Sequence, residues 1–197
     1  MKKLLLALLT AGSLISARAA VFNYTVSFSG PNEFPVNASP GIGSGTVNYD
    51  NGSHLLQLQA TFSGLLGNVT QSHIHGPTTA PGFQNAGIAV TSPSLPGFPL
   101  GATSGSYSNT LDLTLTSSFN ATFLANNGGT PASAETAFVG AMNSGSAYWN
   151  IHSSSFAGGE IRGFVTLVPE PSSVALAGLS VAVLALRVWQ KRRANHP

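Results

Sequence analysis

The chain has 197 residues and a formal net charge of +2, and only 7% of its residues are charged, against about 25% in an average soluble domain. That length holds one domain of ordinary size with one hydrophobic core, and with 43% hydrophobic residues it excludes a charged disordered chain, a coiled coil and a typical cytosolic enzyme surface. The bases sit at the two ends, leaving Arg162 alone against Glu33, Asp50, Asp112, Glu135 and Glu160 within residues 20–168, a net charge of −4, so the clustered Lys/Arg footprint of a nucleic-acid binder is missing.

Lys2 and Lys3 precede an apolar run over residues 4–15, and Ala17-Arg18-Ala19 fits a small-x-small cleavage site. The pattern predicts a secretory signal peptide over residues 1–19. As a helix the run reaches about 18 Å, too short for a hydrocarbon core of roughly 30 Å. Residues 21–29 then alternate. Phe22, Tyr24, Val26 and Phe28 take one face, and Asn23, Thr25, Ser27 and Ser29 the other, the period of a half-buried strand. Residues 46–49 and 55–62, joined by Asp50-Asn51-Gly52-Ser53, predict a hairpin with Val47, Tyr49, Leu56, Leu58, Ala60 and Phe62 inward. Residues 87–91 read as a short strand, and residues 107–115 as another with Leu111, Leu113 and Leu115 inward. Thr130-Pro131 supplies an N-cap and a first helical residue. Ala134, Ala137, Phe138, Ala141 and Met142 then follow on one helical face, and Asn143-Ser144-Gly145 stops the helix. Ala147, Trp149 and Ile151 alternate with polar neighbours, and Ile161, Val165 and Leu167 continue that pattern in the last strand. The expected fold is all-β, a two-sheet sandwich or barrel with one short helix. The chain has no cysteine, so stability rests on core burial or a bound metal rather than on disulfides.

Val168-Pro169-Glu170-Pro171 precedes an apolar run over residues 174–189, interrupted by Arg187, and Lys191, Arg192 and Arg193 follow. As a helix this run reaches roughly 24 Å, a transmembrane-type segment if Arg187 snorkels to the interface. The basic tail would stay cytoplasmic. In this order the parts resemble the PEP-CTERM protein-sorting signal, with the sorting motif at Pro169, Glu170 and Pro171. The resemblance implies recognition by an exosortase of a Gram-negative bacterium and export across the inner membrane by the secretion machinery. It also implies processing near the motif and delivery to the cell surface or extracellular matrix, the apolar helix engaging the membrane at least transiently. The chain thus divides into a signal peptide (1–19), a β domain (20–168) and a sorting segment (169–197).

Two histidine segments carry the candidate chemistry. In Ser72-His73-Ile74-His75-Gly76 a strand would point His73 and His75 to one face and Ile74 to the other. In Tyr148-Trp149-Asn150-Ile151-His152, followed by Gly159-Glu160-Ile161-Arg162-Gly163, inward Trp149, Ile151 and Ile161 would leave Asn150, His152, Glu160 and Arg162 on the opposite face. A hairpin between these strands would set His152 near Glu160. His73, His75 and His152 would then form a three-imidazole site with an open position, suited to zinc or copper, with Glu160 as a further ligand candidate. Read without a metal, the histidines hydrogen-bond on a polar sheet face, and Asn150, Glu160 and Arg162 form a structural polar cluster. His54, beside the hairpin turn, reads as exposed, and His196 lies in the tail. There is no G-x-S-x-G elbow, no cysteine nucleophile and no phosphate-binding glycine loop. The acids show no spacing that identifies a glycosidase pair.

The stretch S-G-P-N-E-F-P-V over residues 29–36, with Gly45 and Asp50, precedes His73-Ile74-His75-Gly76 and the closing Tyr148–His152 and Gly159–Gly163 motifs. Together they resemble the CHRD (chordin-type) domain over residues 21–167. Ser153 and Ala157 stand where Thr and Pro are common in that family. The resemblance implies an all-β, immunoglobulin-like sandwich and an extracellular module. It does not carry a growth-factor partner with it, because a shared fold does not transfer a ligand. Two functions follow. The first is a non-catalytic surface or matrix protein, needing no cofactor, whose Ser/Thr/Asn-rich faces suit exopolysaccharide or other surface proteins. The second is a zinc- or copper-binding domain, or a metal-dependent enzyme, built on His73, His75 and His152. The first is the primary expectation, with a structural role for the histidines.

Overall fold

The computed structural model describes residues 19–91 and 93–169, together with Val183, Leu186 and Gln190. Strand β1 (Val21–Ser29) follows the predicted alternation, with Tyr24, Val26 and Phe28 buried. Strands β2 (Ile42–Asp50) and β3 (Leu55–Ser63) form the predicted hairpin, in which Tyr49 pairs Leu56 and Val47 pairs Leu58. β2 begins four residues earlier than expected, at Ile42. Gly43 and Gly45 lie inside it because the Phe28 ring occupies the space above them; a Cβ at either would sit 3.2 Å from that ring.

Strands β4 (Val69–His75), β5 (Ile88–Val90) and β6 (Gly105–Asp112) follow, and β7 (Tyr148–Ser153), β8 (Ile161–Phe164) and β9 (Thr166–Leu167) close the domain. All pairs are antiparallel, in the order β5-β4-β7-β8-β1-β2-β3-β6, with β9 also on β1.

The expected two-sheet sandwich is therefore corrected to one curled sheet. The reason lies in β1. It pairs β2 along its whole length on one side, and on the other it holds β8 at Ser29 opposite Arg162 and β9 at Tyr24 and Thr25. Gly163 permits that junction, since a Cβ there would fall 2.7 Å from Val26 Cγ1. The curl brings distant strands face to face across the core. Trp149 of β7 meets Phe28 of β1 edge-on at 5.5 Å and Tyr107 of β6 at 6.0 Å. Its indole N–H donates to Ser72 Oγ at 2.8 Å, so the buried polar edge of the ring is satisfied.

Two helices, not one, cross between β6 and β7. Helix α2 (Pro131–Asn143) is the expected one, with Thr130 as N-cap in a capping box with Ser133 and with Ala134, Phe138, Ala141 and Met142 buried. Helix α1 (Ala121–Asn126) was not foreseen; Asn120 caps it, accepting from the Thr122 and Phe123 N–H groups. Strand β6 also ends earlier than expected. The Asp112 carboxylate accepts from the Thr114 N–H at 2.9 Å and hydroxyl at 2.6 Å, turning the chain and leaving Leu115 exposed. Leu167, expected inward, is likewise exposed.

The predicted signal peptide, apart from Ala19, lies outside the described residues. So does the apolar segment 174–189, except for Val183 and Leu186, which are helical and exposed. Among the described residues no helix is long and apolar enough to cross a membrane; the transmembrane-type helix expected over residues 174–189 lies almost wholly outside them.

Candidate functional site

Antiparallel pairing of β4 with β7 sets the site. His73 lies opposite Asn150, His75 opposite Tyr148 and Gln71 opposite His152. Ile74, Trp149 and Ile151 fill the core-facing side. His73, His75 and His152 share the other side and are all buried, and each offers a ring nitrogen within 4.8 Å of those of the other two. The ring centroids of His73 lie 4.6 Å from those of both His75 and His152.

Each ring is held by its Nδ1 on a backbone carbonyl. His73 reaches Pro93 O at 3.2 Å, His75 reaches Ala86 O at 2.8 Å and His152 reaches Ala157 O at 2.8 Å. A carbonyl only accepts, so each Nδ1 carries the proton and each Nε2 of the neutral ring keeps its lone pair. The Nε2 atoms of His75 and His152 are buried with no hydrogen-bond partner. Burial, and secondarily the neighbouring His73, pushes the His75 imidazole down to about 3. Burial, and secondarily His152, pushes His73 down to about 4, and His152 is also lowered by burial. All three rings are therefore neutral at pH 7.

Glu160 does not join them. Its backbone N–H donates to Ile151 O, but its buried carboxylate turns to another loop. There it accepts from Ser39 Oγ at 2.7 Å, Leu66 N–H at 2.5 Å and Gly67 N–H at 3.3 Å. Burial raises its pKa, but the bonds from Ser153, Leu66, Ser39 and Gly67 outweigh burial and hold it below the usual range. The expected grouping of Asn150, Glu160 and Arg162 is corrected too, because Glu33 takes the place assigned to Glu160. Arg162 lies 3.9 Å from Glu33, donates to Asn85 Oδ1 at 2.7 Å, Gln84 O at 3.0 Å and Asn32 O, and stacks its guanidinium 4.5 Å over Tyr148. Asn150 and Glu33 both crowd Gly159; a Cβ there would sit 2.7 Å from Glu33 Oε1 and from Asn150 Oδ1. Tyr148 links the two groups, stacking on His75 at 4.6 Å.

A family model for the CHRD domain matches residues 24–165. The chain belongs to the CHRD domain family. A second model, the PEP-CTERM protein-sorting motif, matches residues 167–193. Motifs of this kind are sorting signals recognised by exosortase, and they imply export and surface association in Gram-negative bacteria. Of the predicted motif residues, Pro169 ends the described domain, and Glu170 and Pro171 lie outside the described residues. Searches of curated proteins and of solved structures returned no match.

A second feature of the CHRD domain is the outer face of β1, β2, β3 and β6. Register aligns it in rows: Thr25, Thr46, Gln59 and Ser108 lie side by side, and so do Ser27, Ser44, Thr61 and Ser106. Every one of these side chains is exposed and uncharged. All of them except Ser27 border a shallow depression of about 630 Å³. His54, expected to be exposed, is about half exposed and hydrogen-bonds Glu135 at 2.9 Å through Nδ1. Glu135 also accepts from Tyr49 Oη at 2.8 Å. Neither Glu33 nor Glu135 was singled out from the sequence. Glu33 could have been, since it falls within the 29–36 opening motif.

Proposed function

We propose that this CHRD protein works at the cell surface or in the extracellular matrix as a non-catalytic module that binds neutral polysaccharide. The polar face of β1, β2, β3 and β6 carries the reading. Its rows of hydroxyls and amides offer donors and acceptors in a periodic array without charge, which suits a neutral glycan presenting hydroxyls at regular intervals. The net charge of −4 over residues 20–168 disfavours acidic polymers by repulsion. The sorting motif at residues 167–193 supports delivery to the place where such polymers lie.

The test is retention of the protein on a neutral glucan such as cellulose or dextran, beside alginate and an uncoated matrix. Retention on the glucan, lost in the doubly substituted Thr46→Arg/Gln59→Arg protein at unchanged circular dichroism, supports the proposal. Equal retention on the uncoated matrix, or no effect of the substitutions, refutes it.

A further inference from the structure

We infer that His73, His75 and His152 form a binding site for one late first-row divalent cation, Zn²⁺ or Cu²⁺, coordinated through their Nε2 atoms. This goes beyond the polysaccharide reading and is independent of it, since the triad lies on β4 and β7 and the polar face on β1, β2, β3 and β6.

The first argument is one of satisfaction. A histidine buried for structural reasons uses both ring nitrogens or leaves one at water. Here each Nδ1 is spent on a carbonyl, while the Nε2 atoms of His75 and His152 are buried without any partner. Buried acceptors left unsatisfied are rare in native proteins and call for a missing partner. Two such lone pairs beside a third imidazole, with ligand nitrogens within 4.8 Å of one another, define the position that partner would take.

The second argument is the anchoring. A metal-bound histidine usually donates its other N–H to a carbonyl or carboxylate, which fixes the tautomer and aims the free nitrogen. All three rings do so, and the carbonyls come from three separate segments at Pro93, Ala86 and Ala157. The rings are therefore aimed by the fold before any ion arrives. Nitrogens on a tetrahedral ion at 2.0–2.1 Å would be about 3.3 Å apart. The rings thus need to draw together by up to about 1.5 Å, within reach of small side-chain rotations.

The donor set selects the ion. Three neutral imidazoles without a carboxylate or thiolate suit Zn²⁺ and Cu²⁺ and are poor ligands for the hard cations Ca²⁺ and Mg²⁺. Glu160 supplies no fourth ligand, because its carboxylate is bound by Ser39, Leu66 and Gly67. In a chain without cysteine, an ion here ties β4 to β7 and, through the anchors, fixes the three segments that supply the carbonyls.

The test uses full-length protein without a His tag, stripped with a chelator and dialysed against Zn²⁺ or Cu²⁺ before metal analysis. One ion per chain is expected, with affinity at least 10-fold weaker in His73→Ala and in His152→Ala and unchanged in His54→Ala. A binding-linked rise in the melting temperature accompanies it in wild type only. Because a triad variant could misfold, ¹⁵N imidazole spectra of wild type give a second readout. Zn²⁺ should shift the Nε2 resonances of the three rings and leave their Nδ1–H signals in place. No stoichiometric binding to the folded chain, binding that survives both triad substitutions, or unshifted Nε2 resonances would overturn the inference and leave an ordered water as the partner of the rings.

Discussion

Glu160 gives the sharpest test of how the polar interior is held. Its Oε1 accepts from Ser39 Oγ and Leu66 N–H and its Oε2 from Gly67 N–H, and the Ser153 side chain, whose hydroxyl can turn to donate or accept, also bonds the carboxylate, all within a site of 0% exposure. In Glu160→Gln the amide oxygen keeps the first two bonds but without charge, a loss of about 1 kcal/mol each by the difference between charged and neutral acceptors. The new NH₂ meets the Gly67 N–H donor to donor, which leaves a buried group unsatisfied at about 1 kcal/mol or more. The expected destabilisation is about 3 kcal/mol at pH 7. With a urea slope of about 2 kcal/mol/M for a domain of this size, the midpoint falls by about 1.5 M. The pH dependence supplies the check on mechanism. The folded carboxyl is held below its unfolded value. Its contribution is therefore fully present above the unfolded pKa of about 4.3 and is lost as pH falls through the folded value. The gap between wild type and variant should accordingly narrow on acidification below pH 4. Urea melts at pH 7 and pH 3 measure both. A midpoint shift under about 0.3 M at pH 7, or a gap that does not change with pH, would show that these bonds do not hold the loop.

Burial pushes the Glu33 carboxyl up to about 7 against the opposing pull of Arg162 and the Phe34 N–H, so the folded state holds this proton where the unfolded chain has released it. Stability from this group is present below about pH 4.3 and is lost as pH rises to 7; relative to wild type, Glu33→Gln should gain stability across that window, and parallel pH profiles of the two proteins would contradict this. Gly163→Ala should push β8 from β1, because the added methyl meets Val26 Cγ1 at 2.7 Å; a loss of about 2 kcal/mol with faster amide exchange at residues 27–29 is expected, and unchanged exchange there would count against the single-sheet junction. Thr130→Ala removes the hydroxyl that accepts from Ser133 N–H at the start of α2 and should cost about 1 kcal/mol in a urea melt; no loss would show that the cap contributes nothing.

Much of the fold could be read from period and punctuation. Strand β1 and the β2–β3 hairpin alternate cleanly because one face is buried and the other meets water, and α2 carries its own cap and stop. The single sheet could not be read, since it depends on β1 pairing on both edges, and edge pairing leaves no mark in a strand's own alternation. Helix α1 spans only Ala121–Asn126, too short for a helical period to emerge. At the site, His-x-His on β4 placed two rings on one face, and the period-two pattern of Tyr148–His152 placed the third. The anchors at Pro93, Ala86 and Ala157 were invisible because backbone carbonyls carry no sequence signal. Glu160 was misplaced for a local reason: it follows Gly159, whose φ of +130° breaks the strand before β8 begins at Ile161. Alternation counted back from Arg162 therefore fails one residue short of the strand, and Glu33, far away in sequence, becomes the partner of Arg162.

The most direct test of the central claim is made on cells that carry the sorting system and a neutral exopolysaccharide. Wild-type protein and Thr46→Arg/Gln59→Arg would be expressed at equal total levels and quantified in cell, matrix and medium fractions, before and after enzymatic digestion of the polysaccharide. Wild type is expected in the matrix, released by the digestion, and the variant already in the medium. Identical distribution of the two proteins, or a matrix fraction that survives complete removal of the polysaccharide, would contradict that claim.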